Sequence, residues 1–431
     1  MRFEPSTSFA RCRRAAPWAA GLLAIGAVLA MVRLGAACPF CSAVSKTLSE
    51  EMRDADATII AKLVKAPPTT EPGKEPAGVP AETQKADFRI LEVLKGPKSL
   101  AAEQVVTILY FGQEPVGQEF VIAGTDPKQL LWGTPVPLSP RARQYVARLP
   151  KLPESGRDRL AFFQDFLEDS DALLAADSYD EFAKTPYSEV LAIKDLMPHD
   201  KLVSWIGNPD TATSRRRLYL TMLGICGSKG DVPTLEKMIK SDDRQMRSAL
   251  DALVACYLTL TGPDGLTLIE DLFLKNKKAE YTDTYSAIMA LRFLGQETTV
   301  IEKPRLTAAL RTMLDRPQLA DLVIPDLARW QDWTVMGKLV ELFKTANEES
   351  IWVRVPVVNY LRACPLPEAK AQIEELKKID PEAVKRANQF FPIGAATPPA
   401  GSQRPAKGAD VPPPTPKTEA KPTANAGASL P

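Results

Sequence analysis

Cys38-Pro39-Phe40-Cys41 is the one stretch of this chain whose residue types and spacing could carry chemistry by themselves. Two cysteines at i and i+3, the second opening a helix, place a thiolate where backbone N–H groups stabilise it. Thiol–disulfide exchange is one use of such a pair. A short Cys38–Cys41 disulfide that pins the start of the chain is the other. So small a ring contributes at most about 2 kcal/mol, enough to order the terminus locally but not to hold a domain. A zinc or iron–sulfur site needs two more ligands, and none lies nearby in sequence. Ser42 rather than histidine follows Cys41, which speaks against haem attachment. Cys38 and Cys41 are therefore read as a disulfide pair, with no catalytic, cofactor-binding or metal-binding residue assigned.

The rest of the chain narrows the chemistry further. There is one histidine, His199, in Leu196-Met-Pro-His-Asp200. Any Ser-His-Asp or Cys-His catalysis would have to run through it, and it reads as a helix-start or surface residue. No G-x-x-x-x-G-K-[ST] or G-x-G-x-x-G loop is present, so nucleotide phosphates lack their usual cradle. Glu168, Asp169, Asp171, Asp177, Asp180 and Glu181 form an acidic cluster without calcium-loop spacing, and are expected on solvated helix faces and caps. Arg215-Arg216-Arg217 is expected to pair with those acidic helices. Cys226, Cys256 and Cys364 fall on apolar helix faces and read as buried free thiols. Trp205, Trp330, Trp333 and Trp352 read as packing residues.

The elements that must position these residues begin with a leader. Arg11, Arg13 and Arg14 precede an apolar run, Ala15 to Val32, and a small-residue end at Gly35-Ala-Ala37. These are the parts of a secretory signal, so residues 1–37 are read as a signal peptide and the mature protein as exported: periplasmic, cell-surface or secreted. An uncleaved leader would instead anchor the chain in a membrane. Five arginines and one glutamate leave with the leader, moving the formal charge from +1 to −3. A near-neutral chain gives no electrostatic case for nucleic acid.

Residues 38–140 read as a small β domain. Short apolar, β-branched runs at Asp56–Val64, Phe88–Leu94, Val105–Phe111, Glu119–Ala123 and Leu130–Trp132 are separated by Gly- and Pro-rich turns. Residues 66–85 hold five prolines and almost nothing large and apolar, which predicts a disordered loop. Val44, Leu48 and Met52 predict one amphipathic helix opening at Cys41.

From about residue 155 to 390 the apolar period becomes 3.6. Candidate first helices start near Thr213, Arg244, Glu280, Pro317 and Ser350, each followed by a breaker and a second helix. A helix–turn–helix unit about every 35 residues is the pattern of a stacked, HEAT-like α-solenoid. Residues 392–431 carry ten prolines and read as a disordered Pro/Ala-rich tail.

Two resemblances attach to these residues. Cys38-x-x-Cys41, the strand Ala55-Asp-Ala-x-Ile-Ile-Ala-Lys-Leu-Val64, and Phe88-x-Ile90-x-x-Val93-Leu94-Lys95-Gly96 resemble the netrin/TIMP-like OB-fold module. That likeness implies an OB-like barrel, and an inhibitory role toward metalloenzymes in which only Cys38 could chelate the target's zinc. Asp177–Tyr187 and Arg217–Gly227 look like a group of uncharacterised exported bacterial proteins in which a C-P-x-C start and a β domain precede HEAT-like helices. The C-P-x-C is also similar to that of glutaredoxin-like proteins, although there it follows a core strand. The expectation is thus an α+β multidomain chain, a small OB-like β barrel followed by a HEAT-like solenoid. Its expected role is that of a non-catalytic scaffold for a protein partner; a metalloenzyme regulator acting through Cys38, or a thiol–disulfide oxidoreductase using Cys38 and Cys41, are the alternatives.

Overall fold

The computed structural model describes residues 40–41, 45–67 and 84–390. The leader, Cys38, residues 68–83 of the Pro-rich segment, and the tail lie outside the described residues. The first element is a short helix, α1 (Leu48–Asp54). It starts later than the apolar spacing predicts because Thr47 and Glu50 form a capping box, which satisfies two orphan N–H groups and so selects the first turn.

Six strands follow: β1 (Ala57–Lys65), β2 (Lys85–Lys95), β3 (Val105–Leu109), β4 (Glu119–Thr125), β5 (Leu131–Trp132) and β6 (Val136–Leu138). They form one antiparallel, nearly closed, barrel-like sheet in the order β3-β2-β1-β4-β5, with β6 also on β4. The sixth strand has no sequence signal, since three residues around Pro137 are too few to show alternation. Ile59 pairs with Ile122 and Ala61 with Phe120 across β1 and β4. Those residues, with Leu63, Phe88, Ile90, Ile108 and Tyr110, fill the interior of the sheet. Phe88, Tyr110 and Phe120 meet edge to face at 5.3–5.6 Å, the arrangement ring quadrupoles favour.

Ile60, Val121 and Leu138 point the other way and join the core of the helices that follow. Ser139 caps and Pro140 opens α2 (Pro140–Arg148), which lies on β4 and β6. Next come α3 (Arg157–Gln164), α4 (Ala172–Lys184), α5 (Tyr187–Leu191) and α6 (His199–Gly207). The remaining helices are α7 (Thr213–Cys226), α8 (Val232–Ile239), α9 (Leu250–Thr261), α10 (Leu266–Ile269), α11 (Tyr281–Glu297), α12 (Lys303–Arg311), α13 (Ile324–Arg329), α14 (Met336–Thr345), α15 (Arg354–Ala363), α16 (Pro367–Ile379) and α17 (Pro381–Phe390). Helices pack on the next but one: α9 lies between α7 and α11, and α15 between α13 and α17, while α8 packs on α9 and α14 on α15. Units expected at Arg244, Pro317 and Ser350 open several residues later, because turns or 3₁₀ segments such as Ala320–Leu322 and Ile351–Val353 precede their helices. Leu250–Leu274 is long and apolar enough to cross a membrane, yet Leu253, Val254, Leu258, Leu266 and Ile269 are core residues here.

Ion pairs join helices at similar sequence separations. Arg217 reaches Asp251, Arg244 reaches Glu280, Arg247 reaches Asp283, Arg305 reaches Glu270 and Arg292 reaches Asp326, all 34 to 36 residues apart. The Arg215–Arg217 run divides its work. Arg215 meets Glu168 upstream as expected, and Arg217 meets Asp251 downstream. Arg216 is buried, donating to the Asn208 and Gln245 carbonyls at 2.7 Å and to Ser248. Packing between units is also close. A Cβ added at Gly295 would lie 2.5 Å from the Trp330 ring, so only glycine fits there.

Exposed pairs such as Arg244–Glu280 contribute little. Asp326 differs, being fully buried and held by Arg292 at 2.6 Å and Arg329 at 2.6 Å. Asp326→Ala should cost about 3–5 kcal/mol, since it strands a guanidinium that burial has removed from water. Urea denaturation checks this, and a loss below about 1 kcal/mol would mean the pair does not fasten the units.

Candidate functional site

Of the C-P-F-C motif, Phe40 and Cys41 are described: Phe40 is buried among the helices and Cys41 is partly buried beside the same core. Phe40 is 6% exposed. Its ring lies 4.9 Å from Phe293 of α11, and Tyr187 of α5 meets Phe293 edge-on at 5.1 Å. Leu220, Thr221 and Gly224 of α7, and Ala255, Cys256 and Thr259 of α9, complete a socket around it. The two helices pass close together at Gly224, where a Cβ would sit in ordinary contact, 3.5 Å from the Cys256 Cα. Thr221 and Thr259 donate their hydroxyls to the Arg217 and Ala255 carbonyls of their own helices. Each hydroxyl hydrogen is thereby used within its own helix, while the oxygen keeps its accepting capacity. The free space left is about 10 Å³, at most one water.

Residues 45–50 are fastened by polar contacts, chiefly to α4. The Leu48 N–H donates to Asp177 Oδ1 at 2.6 Å, and the Tyr145 hydroxyl donates to Oδ2 at 2.6 Å. Ser45 donates to Asp180 at 3.0 Å. Lys184 donates to the Ser45 carbonyl at 2.7 Å and pairs with Glu50. Glu181 takes Arg159 at 2.6 Å. This corrects the reading of the acidic cluster as solvated. Asp171 does cap α4, but Asp177, Asp180 and Glu181 are buried because the arm and α3 bring donors to them. Their i, i+3, i+4 spacing puts them on one face; that the face would be covered has no local signal. Among the described residues no group of His, Cys, Asp or Glu is arranged to hold a metal.

His199 opens α6 as expected, with its side chain partly exposed. Nδ1 lies 2.9 Å from Asp200 and Nε2 lies 3.0 Å from Asp231. The two carboxylates hold its pKa above the usual histidine value, and neither nitrogen is left for a nucleophile. Its contribution to stability is present below the ordinary histidine pKa and fades as pH rises through the raised one. Cys226, Cys256 and Cys364 are free thiols; Cys256 and Cys364 are buried, Cys226 half-buried. Burial pushes the Cys226 and Cys256 thiols up, away from the thiolate that chemistry needs. The expected Cys38–Cys41 bridge cannot be placed, since Cys38 is outside the described residues. Trp205 packs on Tyr219 and Trp333 on Tyr360, whereas Trp352 is half exposed. A hollow of about 460 Å³ between α11 and α12 is lined by residues such as Gln296, Thr299, Glu302 and Lys303.

No protein-family model matches this chain, and no curated protein or solved structure is significantly similar to it.

Asp177 makes the docked arm pH-dependent. Burial, and after it the neighbouring Glu181 and Asp180, raise its pKa to about 6, against the pull of the Tyr145 and Leu48 donors. A raised carboxyl pKa means the fold binds the proton more tightly than the unfolded chain does. Stability from this group is therefore full below about pH 4 and lost as pH rises to about 6, by roughly 3 kcal/mol at most. Asp177→Asn should flatten that slope in denaturation curves between pH 4 and 6.5; an unchanged slope would refute the assignment.

Proposed function

We infer that this chain is an exported, non-catalytic interaction scaffold, whose helices 213–390 stack as a HEAT-like solenoid beside an OB-like barrel. The observation that carries this reading is the docked arm. Phe40 is anchored among the helices and Ser45, Leu48 and Glu50 are held by polar side chains of α4, so the helices already engage residues far from them in sequence, as such stacks engage partners. The ion pairs 34 to 36 residues apart support the stacked arrangement. In this reading Cys38 and Cys41 staple the start of the arm. A metalloenzyme regulator would instead need Cys38 at a free, projecting terminus, and Phe40, two residues on, is buried between helices. Exchange chemistry would need a mobile pair, and the same anchor opposes it.

Photo-crosslinking groups placed at Tyr285 and Trp352, both exposed, should trap a defined partner in the native host, and the purified partner should then bind the full chain saturably. Cys38→Ser/Cys41→Ser should leave that binding within about threefold. No saturable binding by any trapped protein, or acceleration of a model disulfide exchange that the double variant loses, would overturn the scaffold reading.

A further inference from the structure

We propose that two copies of this chain associate through β3, antiparallel about a twofold axis at Thr107, so that their barrel-like sheets join edge to edge. Among the described residues β3 ends the sheet and pairs with β2 alone. The Tyr110 N–H donates to the Gln84 carbonyl, and the Ile90 N–H donates to the Gln104 carbonyl. Even-numbered residues of β3 thus turn their backbone groups to β2, while Val105, Thr107 and Leu109 turn theirs to the open side. Such an edge is a template for a further strand unless charge or proline blunts it, and Val105–Phe111 contains neither. The same odd-numbered residues put an apolar row on the outer face. Val105 is 53% exposed, Leu109 47% and Phe111 74%.

The symmetry of this row selects a second copy as its partner. Centred on Thr107, antiparallel pairing matches all five residues of β3. Val105 then stands opposite Leu109 of the second copy, and Thr107 opposite itself. These are the residues whose backbone groups face outward, so each pair exchanges two hydrogen bonds. The side-chain pairs are apolar on apolar and threonine on threonine, both favourable in antiparallel ladders. The Thr107 hydroxyl already donates to Asp87 at 2.8 Å, so the pairing strands no donor. Charges lie one strand further out, with Lys85 beside Leu109 and Arg89 beside Val105, and no like charges are set opposite one another. Twofold pairing also closes the assembly, because each copy's open edge is covered by the other's.

Sedimentation equilibrium of the full chain should show a reversible monomer–dimer equilibrium. Leu109→Lys should weaken dimerisation by about tenfold or more with unchanged circular dichroism, since that side chain is exposed in the single chain. Thr107→Pro should do the same, by removing an N–H that the ladder with β2 does not use. Thr107→Cys should cross-link to its own copy under mild oxidation, because residues exchanging bonds in such a ladder have Cα atoms about 5.5 Å apart, within disulfide reach. Leu131→Cys, equally exposed but on β5, should not. A native chain that stays monomeric at about 100 μM, or a dimer that neither Leu109→Lys nor Thr107→Pro weakens, overturns the proposal. So does cross-linking at position 131 as readily as at 107. Should Thr107→Pro fail to fold, hydrogen exchange on the native chain takes its place. The Thr107 and Leu109 amides must gain protection as protein concentration rises; exchange independent of concentration refutes the pairing.

Discussion

Strand β1 is buried on both faces, and the rest of the molecule is arranged around that fact. Ile59, Ala61 and Leu63 face the interior of the sheet while Ile60 faces the helices. Along Ala57–Ala61 neither face is solvated, so the strand cannot slip by one residue without exchanging two packed cores. Its register with β4 therefore holds the barrel-like sheet and the helical layers in one relation. Helix α2, capped by Ser139 and packed on β4, continues the same contact.

The helices solve a different problem. Their apolar residues share one core, and polar groups are placed where helices meet. Arg216 and Arg316 enter these joints buried, and both are met by carbonyls and hydroxyls rather than by acids. Such arginines satisfy backbone oxygens that the ends of helices leave unpaired. Asp326 and the arginine–carboxylate pairs 34 to 36 residues apart add direction to otherwise non-directional apolar packing. Phe40 adds an aromatic anchor to these helices, and Ser45, Leu48 and Glu50 meet the polar side chains of α4.

How much of this was legible can be argued residue by residue. The strands at Ala57, Val105 and Glu119 follow from alternation and turns, and the helix at Thr213 from its period. Strand β6 was illegible because three residues show no period. The opening of α1 at Leu48 was misplaced because a capping box outweighs apolar spacing. At the site, His199 was legible as a helix start, but not the two carboxylates that occupy its nitrogens, since Asp231 is brought there by the turn after α7. Phe40 was passed over between two cysteines, because nothing adjacent to it says that an aromatic ring has a socket to fill.

By itself the sequence determined the kinds of element, their order, and the chemistry left out by a single histidine and missing phosphate loops. These are properties of neighbours, set by periodicity and turn residues acting over a few positions. Only the tertiary structure decided that Phe40 meets Phe293, that Leu48 binds Asp177 across 129 residues, and that three carboxylates of α4 are buried rather than solvated. The reason is physical: burial and ion pairing depend on which surfaces are brought together, and that is settled by packing among elements far apart in the chain.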